Sequence, residues 1–292
     1  MLLGVPNFSE GRESRRIEEI SGAFATGAAM LEVHSDAVHN RSVVTLSAPP
    51  EVSASALIHG ARACVERIDM RRHDGAHPRI GALDVCPVVW LRQDDRDAAC
   101  DAALTTAREV GAELEVPVFL YGDLARHESR RELAFFRAGG LVELARRLHS
   151  GELRPDFGPQ RVHERAGATL VTARPPLVAL NVELADGDLR TAKEIASRLR
   201  EAGGGLEGVR AIGVDLGNGR TQVSTNVHDP NAVPLAVVVE RIRGLAGPGG
   251  ARPVAAEIVG LVPERALEGW DDVLPLEGFD PAKHVIERRV RI

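Results

Sequence analysis

Residues 69–88, DMRRHDGAHPRIGALDVCPV, combine two histidines, three arginines and three aspartates in a stretch without apolar periodicity. Such side chains can transfer protons, bind anions or coordinate a metal. His73 and His77 lie four residues apart, a spacing that would place them on one face of a helix, but Gly75 and Pro78 are incompatible with an undisturbed helix. The stretch is therefore predicted to be a loop, where polar side chains stay solvated and converge on a ligand.

His77 is the candidate general base of this loop, because an imidazole takes and returns a proton near neutral pH. Asp74 or Asp84 would orient one of its ring nitrogens. The alternative is a structural histidine that only caps the following strand, predicted at Asp84–Leu91.

A metal site is another interpretation of the same loop. His73, His77 and Asp84, with His34 or His39 from a neighbouring turn, would supply imidazole and carboxylate ligands. The interrupted helix and the absence of an H-E-x-x-H motif argue against it, so no metal is expected.

Three other polar segments are predicted to be loops. Residues 36–41 (DAVHNR) form either a plain turn or a substrate contact, since Asp and Asn favour turns in any hairpin. In residues 6–11 (PNFSEG), Ser9 is predicted to cap the first helix, although the N–H groups there could instead bind a carboxylate. Residues 155–167 (PDFGPQRVHERAG) form a linker or a ligand-binding loop.

The composition excludes several classes of protein. The net charge is −6, from 36 basic and 42 acidic residues, so no nucleic-acid partner is expected. No apolar run reaches the roughly 18 residues of a membrane helix, and no signal peptide is recognisable, so we expect a cytoplasmic protein without a membrane partner. The three cysteines lack the C-x-x-C spacing of a zinc site or redox motif. ATP, NAD and nucleophile-elbow motifs are also missing.

Both halves of the chain are predicted to have the order β-α-β-β-α-β, which indicates an α/β (α+β) protein of two ferredoxin-like lobes. The lobes are placed at 1–176 and 177–292, with a substrate cleft or tunnel between them. The predicted elements of the first half are Leu2–Val5 (strand), Arg12–Ala25 (helix), Met30–Ser35 and Ser42–Ala48 (strands), 49–68 (helix) and Asp84–Leu91 (strand). Helix Asp95–Leu114, strand Val116–Tyr121 and helix Arg126–Leu148 would extend the first sheet. The second half has Leu177–Val182 (strand), Asp188–Ala202 (helix), Val209–Leu216 and Thr221–Val227 (strands around the turn 217–219), Val233–Leu245 (helix) and Pro253–Leu261 (strand).

Several motifs, spread over nearly the whole chain, together resemble the glutamate formimidoyltransferase (formiminotransferase) family. They are VPNFSEGR at 5–12, HNRS at 39–42, the stretch 68–87, PDFGP at 155–159, QVSTN at 222–226 and EIVGLVPE at 257–264. The chain is similar to the stand-alone bacterial type, without the cyclodeaminase portion that is fused to the transferase in animals.

The resemblance implies transfer of a formimino group from N-formimino-L-glutamate to tetrahydrofolate, the co-substrate, with a basic tunnel between two ferredoxin-like lobes. The family's active-site histidine, the second in H-x-G-x-H-P-R, falls on His77. Its folate-binding segment falls on Gly158, Pro159, Gln160, Arg161, Val162, His163, Glu164, Arg165, Ala166 and Gly167.

The candidate supporting residues are Asp36, Asn40, Arg41, Arg79 and Asp84, and the arginines at 71, 72 and 79 would hold carboxylates or steady the site. Some family members have an acidic residue that assists the histidine, and His34 occupies that position here. Glu32 or Asp36 would have to substitute for it. A homodimer is expected from the size of the chain alone.

Three other functions remain open from the sequence. A paralogue could transfer a formyl group from N-formylglutamate, and a folate-binding protein would show no turnover with either donor. A metal-dependent amidohydrolase would lose activity on chelation.

Overall fold

The structure, a computed structural model, describes residues 1–217, 219–247, 250–271 and 273–290. Its backbone contacts divide the chain into two compact units, Met1–Pro175 and a second that begins at Pro176. Both units combine helices with a β-sheet, so the predicted α/β class is confirmed. The predicted turn 217–219 includes Asn218, which lies outside the described residues.

The first unit contains seven strands and five α-helices within the described residues. They are β1 (Leu2–Gly4), β2 (Asn7–Phe8), α1 (Ser14–Phe24), β3 (Ala29–Asp36), β4 (Arg41–Ala48), α2 (Pro50–Arg67), β5 (Leu83–Trp90), α3 (Arg96–Glu113), β6 (Val118–Leu120), α4 (Leu133–Arg137), α5 (Gly140–His149) and β7 (Thr169–Arg174). Strands β1 and β2 act as one interrupted strand, since each pairs antiparallel with both β4 and β5. With β3 beside β4, this is the predicted ferredoxin-like arrangement.

Two parallel strands extend this sheet beyond β5. Strand β7 pairs with β5, and β6 pairs with β7. The extension was predicted, but β7 was missed because residues 169–174 directly follow a long polar loop. Their run of Leu170, Val171 and Ala173 was the signal for a buried strand.

The predicted helix Arg126–Leu148 is wrong. A short 3-10 turn at Glu128–Arg130 is followed by the two helices α4 and α5. Gly139 and Gly140, with φ of 73° and 66°, separate these helices, because a left-handed backbone cannot continue an α-helix. The break leaves Arg137 at the end of α4.

The sheet of the first unit has a different apolar cluster on each face. Cys86 and Val171 belong to the cluster formed with α1, α2 and α3. Their neighbours Val85 and Leu170 belong to the cluster that includes Phe136 of α4 and residues of α5. Successive strand residues point to opposite faces, so helices pack on both sides of β5 and β7.

The described residues of the second unit form four strands and four α-helices. They are β8 (Val178–Ala185), α6 (Leu189–Leu199), β9 (Val209–Gly217), β10 (Arg220–Val227), α7 (Leu235–Ala246), β11 (Arg252–Val259), α8 (Pro281–His284) and α9 (Ile286–Arg289). The strands form an antiparallel sheet with the order β11-β8-β10-β9. This order is also ferredoxin-like. In the described parts of both units, no helix combines the length and the apolar character needed to cross a bilayer.

The QVSTN motif lies on β10. Val223 and Val227 point into the core of the second unit. Gln222 and Ser224 therefore share the opposite face, where register places Ser224 beside Asn181. On this face, register places Gln222 of β10 beside Glu183 of β8 as well.

Candidate active site

Three loops of the first unit meet around His77: residues 9–12, the β3–β4 turn at 36–41 and the loop 69–82. Glycine is required at two of the contacts. A Cβ on Gly75 would lie 2.3 Å from the carbonyl oxygen of His39, and a Cβ on Gly11 would lie 2.2 Å from that of Asp36. Any larger residue would push the loops apart.

Asn40 links all three loops. Its Oδ1 accepts a hydrogen bond from the backbone N–H of Gly11 at 2.9 Å, and its Nδ2 donates to the carbonyl of Asp74 at 2.8 Å. Its φ is 48°, a conformation that Asn adopts more readily than most residues. Asn40 is therefore a structural clamp that holds the three loops together.

Arg79 and His73 hold the backbone of the histidine loop. Arg79 donates through Nε to His73 Nδ1 at 2.6 Å and through Nη1 to the carbonyls of Gly75 and His77 at 2.6 and 2.9 Å. His73 Nε2 lies 2.9 Å from the carbonyl of Asn40 and must be the donor there. Arg79 thus steadies the site, and both ring nitrogens of His73 are engaged within the protein.

The metal interpretation finds no support in this geometry. Across the described ranges, no group of three His, Cys, Asp or Glu side chains is arranged to hold an ion.

His77 is held as an uncharged imidazole. Its Nε2 lies 2.9 Å from Nη1 of Arg41, and since a guanidinium only donates, Nε2 accepts and the ring proton is on Nδ1. Burial, followed by the positive charges of Arg41 and Arg137 and by His39, lowers the pKa of His77 well below 6.5; the Pro78 backbone acts in the opposite direction.

The predicted bracing of His77 by Asp74 or Asp84 is wrong. Asp74 pairs with Arg12 at 2.9 Å. Asp84 accepts from the backbone N–H of Ile80 at 2.7 Å through Oδ1 and pairs with Arg137 through Oδ2. Asp84 therefore positions Arg137 and the end of the loop.

The surroundings of His77 are electropositive. Burial and the charge of Arg137 lower the pKa of Arg41 to about 10, although Asp84 and Asp36 oppose this shift. A guanidinium that is paired with a neutral imidazole is available to an anionic ligand. Arg137 was not predicted as a site residue, because its helix was predicted to continue through Gly139.

Tyr121 and Arg174 are two further site candidates that sequence reasoning missed. Burial raises the pKa of Tyr121 to about 12, with Arg174 and Arg137 acting in the opposite direction. Burial also lowers the pKa of Arg174 to about 10, partly offset by Tyr121. Both residues lie at the ends of the extension strands, so the positive region continues from Arg137 toward β6 and β7.

Asp36 and His39 form a carboxylate–imidazole pair within the β3–β4 turn. Asp36 Oδ2 lies 3.0 Å from His39 Nδ1, and its Oδ1 accepts from the backbone N–H groups of Val38 and His39 at 2.7 and 2.8 Å. Burial alone would raise the pKa of Asp36, but these hydrogen bonds and the charge of His39 lower it to about 2. Asp36 is therefore ionised at neutral pH.

The predicted capping of the first helix by Ser9 is wrong. Ser9 Oγ donates to the carbonyl of Gly81 at 2.7 Å, which joins residues 9–12 to the end of the histidine loop. The N–H groups of Arg12 and Glu13 are bound by Oε1 of Glu10 at 2.9 and 3.1 Å. These groups are thus occupied by a carboxylate of the chain itself.

The segment 158–167 lies beside the histidine loop. The N–H of Met70 donates to the carbonyl of Arg165 at 2.7 Å, and the N–H of Ala82 donates to that of Ala166 at 2.8 Å. Gly167, with φ of 73°, approaches the loop so closely that a Cβ would lie 2.2 Å from the carbonyl of Ile80. Both ends of the loop are therefore attached to this segment.

Several side chains of the segment maintain its shape. Gln160 donates to the carbonyls of Leu148 and Leu153, and His163 Nδ1 accepts from the backbone of Arg165 and Ala166. Val162 packs against the apolar cluster that includes Phe136. The charged residues form ion pairs at the surface: Arg161 with Glu115, Glu164 with Arg71, and Arg165 with Asp69.

Comparison with known proteins places both units in one group. The family model described as "Formiminotransferase domain, N-terminal subdomain" matches residues 1–174, and "Formiminotransferase domain" matches 179–271. The chain is 37% identical to glutamate formimidoyltransferase of Thermoplasma acidophilum, over 98% of this chain and 96% of that protein. It is 35% identical to glutamate formimidoyltransferase of Streptococcus pyogenes serotype M1, over 98% and 97%. It is 40% identical to formimidoyltransferase-cyclodeaminase of Sus scrofa, over 90% of this chain and 50% of that protein.

Protonation of His77 should couple stability to pH. Below the ordinary histidine pKa of 6.5, His77 binds a proton in the unfolded chain but not in the folded protein. The free energy of unfolding should therefore decrease as the pH falls from 7 to 5. One such group contributes at most about 1.4 kcal/mol per pH unit. Urea unfolding at pH 7, 6 and 5 should show a shallower decrease for His77→Gln than for the unmodified protein.

Part of the decrease should remain in the variant, because burial also lowers the pKa of His73 and His163. Identical slopes for the two proteins would contradict the assignment of a depressed pKa to His77.

Proposed function

The chain belongs to the formiminotransferase family, and from this premise we propose that it is a glutamate formimidoyltransferase. It transfers the formimino group of N-formimino-L-glutamate to N5 of tetrahydrofolate and releases L-glutamate and 5-formiminotetrahydrofolate, a step of histidine degradation. The observation that carries the proposal is the uncharged His77, in the motif H-x-G-x-H-P-R, beside the guanidinium of Arg41. Residues 1–176 and 177–292 are the proposed subdomains.

His77 is the proposed general base and acid. N5 of tetrahydrofolate attacks the amidine carbon of the donor, and Nε2 of His77 takes the N5 proton. The resulting imidazolium delivers a proton to the departing glutamate nitrogen as the bond from that nitrogen to the former amidine carbon breaks. General acid–base catalysis of this kind supplies about 10²- to 10⁴-fold, and holding two substrates together supplies more.

Arg41 has to release His77 before the base can act, since the Nε2 lone pair points at its guanidinium. A substrate carboxylate is a stronger partner for a guanidinium than a neutral imidazole. We therefore assign Arg41 to a carboxylate of formiminoglutamate or folate. Binding of that carboxylate would free the lone pair only when substrate is present.

Tetrahydrofolate is proposed to bind along the segment 158–167. The support is the attachment of this segment to both ends of the histidine loop, at Met70 and Ala82. The proposed chemistry needs no metal. A homodimer and a cytoplasmic location complete the proposal.

Replacing His77 should abolish turnover without abolishing folate binding. We expect His77→Ala to lower kcat at least about 100-fold, since proton transfer is lost, while the Kd for tetrahydrofolate changes little. The assay is formation of 5-formiminotetrahydrofolate from formiminoglutamate in the presence of a chelator. His59→Ala, on the exposed side of α2, is the matched control and should behave like the unmodified protein.

Near-normal turnover by His77→Ala would refute the role of His77. An unmodified protein that uses N-formylglutamate in preference to formiminoglutamate would refute the formimino donor. Folate binding without product from either donor would refute the proposal that the protein is a transferase.

Folate binding should also protect the proposed segment from hydrogen exchange. We expect backbone amides within 158–167 to exchange more slowly when tetrahydrofolate is added, because bound ligand restricts local opening. Helix α7, at Leu235–Ala246, serves as the internal reference and should not change. Protection confined to regions outside 158–167 would contradict the assignment.

A further inference from the structure

One of the two ring nitrogens of His39 has no hydrogen-bond partner among the described residues. Its side chain is only 7% exposed, and Nδ1 donates to the ionised Asp36 at 3.0 Å. In an uncharged imidazole Nε2 is then an acceptor. This Nε2 is buried and has no hydrogen-bond partner anywhere in the described part of the chain.

His77 has the opposite unpaired group, a hydrogen-bond donor. Because Nε2 accepts from Arg41, the proton of the uncharged ring is on Nδ1, which makes Nδ1 a donor. Nδ1 is also buried and forms no hydrogen bond of normal geometry among the described residues, although the Pro78 backbone favours the protonated ring. The two rings are neighbours, with centres 5.8 Å apart and planes at 70°. An unpaired donor thus lies next to an unpaired acceptor, and burying either one costs free energy.

The backbone fixes the two histidines relative to each other. Ala76 N–H donates to the carbonyl of Val38 at 3.1 Å, one residue from each histidine. The contact of Gly75 with the carbonyl of His39 leaves no space for a side chain between the two loops. The proximity of the rings is therefore built into the fold.

We propose that Asp36 and His39 are positioning residues that complete the acid–base system of His77, as a chain Asp36–His39–His77. The proposal rests on the function assigned to His77 above. In this hydrogen-bonded chain, Nδ1–H of His77 donates a hydrogen bond to Nε2 of His39 during turnover. This hydrogen bond requires a small ring movement, which accompanies release of Nε2 by Arg41.

The chain would relocate the positive charge that forms on His77. As Nε2 of His77 takes the proton from N5, its Nδ1 proton passes to Nε2 of His39, whose Nδ1–H already faces Asp36. When the glutamate nitrogen leaves, the proton on Nε2 of His39 returns to Nδ1 of His77, and Nε2 of His77 protonates the leaving nitrogen. No proton is gained or lost over the cycle.

Electrostatics explain why such a chain is needed. An imidazolium at His77 faces Arg41 from β4 and Arg137 from α4, and the charge of Arg137 is already engaged by Asp84. His39 instead faces the carboxylate of Asp36. Moving the proton to His39 places the positive charge beside the negative charge and away from the two guanidinium groups.

Two conservative variants test the chain. His39→Asn keeps a short amide that can donate toward Asp36 but lacks the outer ring nitrogen. Asp36→Asn keeps an oxygen for the N–H groups of the turn but removes the negative charge. We expect kcat to fall at least about 10-fold in each variant, because part of the rate gained from acid–base catalysis is lost. KM for both substrates should stay within about 3-fold of the value for the unmodified protein. The double variant should be no slower than the slower single one, because all three residues act as a unit.

The proposal can be separated from the proposed transferase function by titrating His77 in the resting protein. We expect NMR of the His77 ring protons to show a lower titration midpoint in Asp36→Asn, because the His77 imidazolium loses the compensation of the Asp36 charge. His59→Asn should change neither kcat nor the midpoint. An unchanged His77 midpoint in Asp36→Asn, or unchanged kcat of both variants in an active enzyme, would overturn the chain. A lowered midpoint in a protein without transferase activity would preserve the chain and refute the function.

Discussion

The close approach of the histidine loop to the β3–β4 turn is the constraint on which the site depends. It exists because position 75 is glycine, whose backbone lies against the carbonyl of His39. Asn40 and Arg79 then fix the loop by hydrogen bonds to its backbone carbonyls. These contacts place His77 within reach of Arg41. A bulkier residue at position 75 would displace the imidazole even though it lies two residues away.

The same constraint determines the electrostatics of the site. Arg41 and Arg137 surround an imidazole that is too costly to protonate in the resting protein, so His77 stays an uncharged base. These two cations suit the carboxylates of both proposed substrates. The positive charges thus favour both the binding of anionic substrates and the uncharged, basic form of His77. The same positive charges destabilise an imidazolium at His77. In the proposed chain, Asp36 and His39 relieve this by taking up the positive charge.

Sequence periodicity predicted most elements because each buries one apolar face. The order βαββαβ of both units, and the loop that carries His77, followed from alternating strands and from Gly75 and Pro78. The failures have local causes. Strand β7 is short and directly follows a long polar loop, and Gly139 and Gly140 break a segment whose apolar spacing still looks helical.

The partners of the charged side chains could not be predicted, because they depend on how distant loops meet. Asp84 is close to His77 in sequence yet pairs with Arg137. Glu10, and not Ser9, binds the N–H groups at the start of α1. His77 could be proposed from its motif, whereas the pairing of His39 with Asp36 required the three-dimensional arrangement of the turn.

The most direct test of the account is the protonation state and tautomer of His77 at pH 7, measured by ¹⁵N NMR of the ring nitrogens in the substrate-free protein. We predict an uncharged ring with its proton on Nδ1 and an unprotonated Nε2 that accepts from Arg41. An imidazolium, or a neutral ring with the proton on Nε2, would contradict the arrangement from which the base, the role of Arg41 and the chain to Asp36 all follow.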